Sequence, residues 1–301
     1  MEEKIIRLIA SKGPLTGSEV WKEVGGEALP LWRTCKSSKN LVIHNIGRRY
    51  LRLDRRVEGF ARLSPSIWRE FLTYSIIGLK GDPGPLEQRG KELIAHIEGI
   101  SRAKAELAYQ VVSGLGDRLS TELPLDQGAC FIIGGDISYN MAHDVPRPER
   151  STKKLVNGSD MDIVVIVDDH FPEDLMKRLD NALYEEKYRL LITPHIREEI
   201  DYIVKKPDRV LEQVRFSTFK HMIACKILQE GTLLYGSETL FHNVKTMLRD
   251  HGVLEKLADL EKRAKVFRAN AERVLLATDP YQLKEDELDL FYPSEESEEF
   301  D

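Results

Sequence analysis

Residues 157–169, NGSDMDIVVIVDD, set Asp160 and Asp162 at the mouth of an unbroken apolar run, Ile163 to Val167. All five residues of that run are β-branched, which reads as a strand covered on both faces. Side chains two apart on a strand point the same way, so the two carboxylates project together while Met161 turns inward. Like charges about 5 Å apart repel by roughly 3 kcal/mol at an effective dielectric near 20. A divalent cation removes that cost. Oxygen-only donors, with no histidine or thiolate nearby, favour Mg²⁺ or Mn²⁺ over zinc.

Outward from this strand, the chain alternates strand and helix signals from Gly128 onward. ACFIIGG (129–135) is a strand running into Gly134 and Gly135, a turn at which backbone N–H groups can approach a phosphate. PEDLMKRLDNALYEE reads as a helix, REEIDYIVKK (197–206) as a strand bringing Asp201 alongside, and FSTFKHMIACKILQEG as a helix. A last long helix is predicted near 252–277. The fold class expected is α+β.

Taken together, the strand-Gly-Gly turn, the later strand GSDMDIVVIV, the third aspartate Asp201 and ILQEGTLLYGSETLF (227–241) resemble the nucleotidyltransferase superfamily that includes DNA polymerase β, the minimal nucleotidyltransferases and the CCA-adding enzymes. The resemblance spans roughly residues 107 to 242. It implies a polymerase β-like core, a mixed sheet with helices. It also implies a metal-dependent enzyme that moves a nucleoside monophosphate from a nucleoside triphosphate to an acceptor hydroxyl, releasing pyrophosphate. Asp160, Asp162 and Asp201 would be the catalytic, metal-binding carboxylates. Gly134, Gly135, Ser159, Lys220 and Lys226 would bind the nucleotide. Two departures stand out: Asp136 follows the glycines where the family commonly has serine, and the stretch from the turn to Asp160 is long. That insert carries Arg147, Arg150, Lys153 and Lys154, and reads either as a surface loop or as a substrate-side clamp.

The N-terminal end differs in charge. Residues 1–80 hold fifteen Lys/Arg against eight Asp/Glu, whereas the net charge of the whole chain is −6. EEKIIRLIASKG, SEVWKEVGG and ALPLWRTCKSSKN read as three helices, and LVIHNIGRRYLRLD as a hairpin turning at Asn45–Arg48. This resembles a winged helix-turn-helix over residues 1–62. Arg33, Lys36, Lys39, Arg48, Arg49 and Arg52 would then meet the phosphates of DNA or RNA. The plainer reading is a module that packs on its own neighbour or on a protein. SPSIWREFLTYSIIGL reads as a further helix, and LEQRGKELIAHIEGISRAKAELAYQVVSGLGDRL as two more periodic stretches. The expected domains are 1–62, a helical connector 63–106, the nucleotidyltransferase 107–245, a C-terminal helical segment 246–283 and a solvated, disordered acidic tail 284–301 with nine acidic residues and one lysine.

Composition bounds the rest. At 301 residues and 42% hydrophobic, the chain supports two or three modest cores. No apolar run approaches the roughly 20 residues of a membrane span, and acidic residues stand where a signal peptide has a basic flank, so a cytoplasmic protein is expected. Cys35, Cys130 and Cys225 show no ligand spacing. Neither a GxSxG elbow nor a GxxxxGK[ST] loop occurs, which disfavours hydrolase and P-loop chemistry. The competing function is a non-catalytic winged-helix regulator whose second half senses nucleotide. Acceptor, base preference and oligomeric state are not legible.

Overall fold

The computed structural model describes residues 1–119, 125–149, 152–279, 282 and 289–292. Arg150 of the insert and the acidic residues flanking 289–292 lie outside the described residues. The chain is a mixed α+β protein with several small sheets. It divides into two units, residues 1–97 with 261–301, and residues 98–260.

The first unit opens with α1 (Glu2–Lys12), β1 (Leu15–Thr16), α2 (Gly17–Val24) and α3 (Ala28–Ser37). Gly13 ends α1 at φ 82, a backbone state that glycine enters without cost. Thr16 and Glu19 cap α2 reciprocally: Glu19 N–H donates to Thr16 Oγ1 at 3.2 Å and Thr16 N–H to the Glu19 carboxylate at 2.7 Å. Then come β2 (Leu41–Asn45), β3 (Tyr50–Leu53), β4 (Ala61–Ser64), α4 (Ile67–Thr73) and β5 (Ser75–Leu79).

Here the expected hairpin at Asn45–Arg48 is corrected. β2 pairs antiparallel with β5, and β3 pairs with β4. β5 carries the fully buried Ile76 and Ile77 and takes the central place in a sheet ordered β1-β5-β2. The chain after Asn45 therefore passes between two sheets instead of turning, with Ile46 buried and its N–H donating to Tyr74 O at 2.7 Å. The same competition splits SPSIWREFLTYSIIGL into a short helix and a strand. Its C-terminal half carries the β-branched Ile76 and Ile77, which fill the sheet.

After the first unit's strands runs α5 (Pro83–Leu119), one uninterrupted helix where two stretches were expected. The second unit contains α6 (Leu125–Gly128), β6 (Ala129–Ile133), α7 (Gly135–Ser138), β7 (Pro146–Pro148), β8 (Leu155–Asn157), β9 (Met161–Val167), α8 (Glu173–Ile192), β10 (Ile200–Lys205), α9 (Pro207–Gln213), α10 (Phe219–Glu230), β11 (Thr232–Gly236) and α11 (Glu238–Asp250). Its main sheet is ordered β10-β9-β6-β11. β9 and β10 are parallel because the helix α8 carries the chain back between them, whereas β6 runs antiparallel to both β9 and β11. One core packs Phe131, Ile163 and Val165 of the sheet with Val112 and Leu115 of α5 and with Leu179, Leu183 and Leu190 of α8. Within the insert, Pro146–Pro148 and Leu155–Asn157 pair as the hairpin β7–β8, from Pro146↔Asn157 to Pro148↔Leu155.

The last helix, α12 (Val253–Ala277), adds Ala271 and Leu275 to the core of the first unit, beside Ile5, Trp32, Trp68 and Phe71. Phe291 joins that core fully buried. Its ring lies 5.5 Å from Trp32 and 5.3 Å from Trp68, and its carbonyl accepts from Trp68 N–H at 3.0 Å. The expectation of a solvated tail is thus corrected at residues 289–292. Burying an aromatic side chain gives about 1.5–3 kcal/mol, enough to anchor a segment that acidic composition alone would leave in water.

Candidate active site

Asp162 and Asp201 are register partners on the parallel pair β9–β10, and Asp160 stands just before β9. The Asp-x-Asp spacing and the crossover topology therefore bring all three carboxylates to the same end of the sheet. The glycine turn closes on them from β6, antiparallel to β9. Gly135 has φ +65, and a Cβ at that position would sit 2.2 Å from Asp162 Oδ2. Gly135 is thus required twice, for its backbone angle and for the room it leaves the carboxylate. Gly158, at φ +63, is likewise pressed against His143 O.

Burial pushes the Asp162 carboxyl well above the usual carboxylate range, and the neighbouring Asp160, Asp136, Asp201 and Glu230 charges push it further. Side-chain cations stand around the group. Lys187 of α8 donates to Asp201 Oδ1 at 2.7 Å, and Arg147 Nη2 of β7 lies 3.8 Å from Asp160 Oδ2. The same Nη2 is 2.8 Å from Glu199 Oε2, an ion pair by distance but not aligned as a hydrogen bond. Glu199 is buried, and burial raises its pKa despite Arg147. With Asp201 and Asp160 turned toward these cations, no group of three or more His, Cys, Asp or Glu among the described residues is assembled as a ready metal cage.

The expected nucleotide ligands are placed as follows. Gly134 N–H donates to Asp162 O at 2.9 Å, and Gly135 N–H to Glu230 Oε1 at 3.1 Å, so both amides are committed within the chain. Glu230 also accepts from Tyr139 Oη at 2.7 Å and is ion-paired with Lys226. Ser159 is buried. Its hydroxyl donates to Asp136 Oδ2 at 2.8 Å and accepts from His143 N–H at 3.2 Å, which ties Asp136 into the turn and leaves Ser159 no open face toward a ligand. Lys220 is exposed in the first turn of α10.

Lys187, Glu230 and Tyr139 were not singled out by sequence. Lys187 is one of many polar residues on an amphipathic helix, and nothing in its spacing marks it. Glu230 sits inside the ILQEGTLLYG stretch, yet its partner amide is 95 residues away in sequence.

Of the residues expected to meet nucleic acid, several are engaged inside the first unit. Arg49 forms a two-pronged pair with Glu70, at 2.6 and 2.7 Å, and reaches Glu272 at 3.1 Å. Lys36 lies 3.7 Å from Glu272, and Arg33 donates to Leu276 O at 2.7 Å. Lys39 and Arg48 are exposed, and Arg52 is partly buried on β3. Arg33 and Lys36 of α3 thus both reach α12, Arg33 partly buried and Lys36 still exposed to solvent.

Neither the protein-family models nor the curated proteins gave a match to this chain. Among solved structures, a chain from a crystal structure described as a mutant of the toxin-antitoxin MntA-HpeT aligns with 51% of this chain and 93% of its own length, at 13% identity and a TM-score of 0.24. Likeness at that level carries no argument about fold or activity. No helix among the described residues is long and apolar enough to cross a membrane.

Proposed function

We propose that residues 98–260 form a polymerase β-like nucleotidyltransferase core that transfers a nucleoside monophosphate from a nucleoside triphosphate to an acceptor hydroxyl. The observation that carries this reading is the pairing of Asp162 with Asp201 across adjacent parallel strands, with Asp160 beside them and Gly135 closing over Asp162. The donor chemistry fits a hard divalent cation. The ligands are carboxylate oxygens, and burial together with four neighbouring carboxylates raises the Asp162 pKa, a cost that an added positive charge relieves. Asp160, Asp162 and Asp201 would hold the ion. When bound, Mg²⁺ or Mn²⁺ would neutralise the phosphates and lower the pKa of the attacking hydroxyl.

The chain's own residues do the rest. Asp201, once Lys187 moves off it, is the group best placed to take the acceptor's proton. Lys226 and the turn at Gly134–Gly135 would face the phosphates after Glu230 gives way. Labelled triphosphate tests the reading: wild type should release pyrophosphate and label an acceptor, and Asp160→Ala and Asp162→Ala should abolish both while remaining folded. Transfer by either variant at the wild-type rate would remove it.

A nucleotide sensor without catalysis is favoured by one observation, the Lys187 ammonium already seated on Asp201. Nucleotide binding with Mg²⁺ but no pyrophosphate release would select that reading. For the first unit, the helices α1, α2 and α3 with the sheet order β1-β5-β2 support a winged helix-turn-helix whose wing strands are β2 and β5, with β3, β4 and α4 inserted between them. Lys39, exposed just past the end of α3, remains a candidate for phosphate contact.

A further inference from the structure

We propose that Arg147, on the β7–β8 hairpin, is a positioning residue that clamps the two carboxylate-bearing strands into the geometry needed to bind a divalent cation. The proposal rests on the nucleotidyltransferase reading and deepens it by giving the insert a task. Arg147 is nearly buried, with 11% of its side chain exposed, and among the described residues it reaches both strand entries. Nε donates to Gly158 O at 2.7 Å, Nη2 pairs with Glu199 Oε2 at 2.8 Å, and the same Nη2 lies 3.8 Å from Asp160 Oδ2. Gly158 and Asp160 belong to the loop that delivers β9, and Glu199 is two residues before Asp201 on the approach to β10. One planar guanidinium therefore spans both strand entries, a task suited to its fixed fork and not to a lysine.

Other bonds tie the same two segments through their backbones. Asn157 N–H donates to Arg197 O and Met161 N–H to Glu199 O, each at 2.9 Å, and Lys104 Nζ donates to Asn157 O at 2.6 Å while pairing with Glu198. Those bonds hold the strands together. Arg147 is the residue among these that reaches a candidate metal carboxylate, so it sets where Asp160 stands relative to the β10 entry. The hairpin register fixes Arg147 opposite Val156, which is buried, and so aims its side chain at the site.

The sign of a single measurement separates positioning from simple charge. If Arg147 only competed for Asp160, removing its charge would tighten cation binding. If it positions, removal loosens binding, by the roughly 10–100-fold typical of partners that orient metal ligands. The experiment is calorimetric and thermal-shift titration of the full chain with Mn²⁺ alone, for wild type, Arg147→Gln and Arg147→Lys. Expected is a loss of at least about 10-fold in Mn²⁺ affinity for Arg147→Gln, and a loss also for Arg147→Lys, which keeps the charge but not the fork. Affinity unchanged or tighter in both variants overturns the clamp alone. Should Arg147→Gln fail to fold, Arg147→Lys decides. A wild-type protein indifferent to Mn²⁺ overturns the metal reading and the clamp with it.

Discussion

Asp162 and Asp201 occupy matched positions on neighbouring parallel strands, yet each is turned toward a different counter-charge environment. Asp201 holds the Lys187 ammonium at 2.7 Å, whereas Asp162 holds none among the described residues, and burial together with the neighbouring carboxylates raises its pKa.

Removing the Asp162 charge should stabilise the protein at the expense of its chemistry. The folded-state pKa of Asp162 is raised. Its support for folding is therefore complete below the ordinary Asp value of about 3.9 and is lost as pH climbs through the raised folded value. In EDTA, Asp162→Asn should gain about 0.5–2 kcal/mol at pH 7 and show a flatter stability profile from pH 4 to 7, as read by denaturant unfolding. It should also lose any Mn²⁺-dependent rise in Tm. A variant less stable than wild type at neutral pH would mean that Asp162 is compensated by a partner.

Gly135→Ala should separate backbone strain from site crowding when compared with Gly252→Ala. Both glycines have positive φ, 65 and 66, but an added Cβ meets Asp162 Oδ2 at 2.2 Å in the first and nothing closer than 3.6 Å in the second. Each substitution should cost about 1 kcal/mol through its φ. Only Gly135→Ala should also displace Asp162 and abolish the Mn²⁺ response in a thermal-shift titration. Equal behaviour of the two variants would deny the close packing of turn and carboxylate.

Lys187→Met should raise the affinity for Mn²⁺ several-fold, because the cation no longer has to displace an ammonium from Asp201. The pair is partly exposed, with 27% and 47% of its side chains open, so the stability change should stay within about 0.5 kcal/mol. Calorimetry measures the first quantity and urea unfolding the second. Weaker Mn²⁺ binding would instead make Lys187 an orienting partner of Asp201.

Phe291→Ala should destabilise the first unit by about 3–5 kcal/mol, the cost of emptying an aromatic site between Trp32 and Trp68. Tryptophan fluorescence during denaturation reports the loss directly. A change under about 1 kcal/mol would return residues 289–292 to the solvated tail that their composition suggests.

What could be read from sequence had short-range causes. The period-two placement of Asp160 and Asp162, the apolar run behind them, the glycines after Ile133 and the aromatic and β-branched YIV after Asp201 specify β6, β9, β10 and the turn, because side-chain direction on a strand is settled within two residues. The helices α1, α2, α3 and α8 were legible for the same reason, through their apolar spacing and, for α2, its cap at Thr16.

Long-range competition was not legible. Whether β2 pairs with the nearby β3 or the distant β5 depends on which strand buries more apolar surface, and the fully buried Ile76 and Ile77 decide it in the tertiary structure. The same holds for charges. Arg33, Lys36 and Arg49 look alike in a basic stretch until α12 brings Glu272 and Leu276 O to them, and Arg147 looks like a loop residue until the hairpin carries it to Glu199 and Asp160. Sequence by itself determined which carboxylates exist, on which strands and in what spacing. Only the packed structure decided which of them face a cation, Asp201 and Asp160, since ion pairing falls off over a few ångströms and a linear chain contains no such distances.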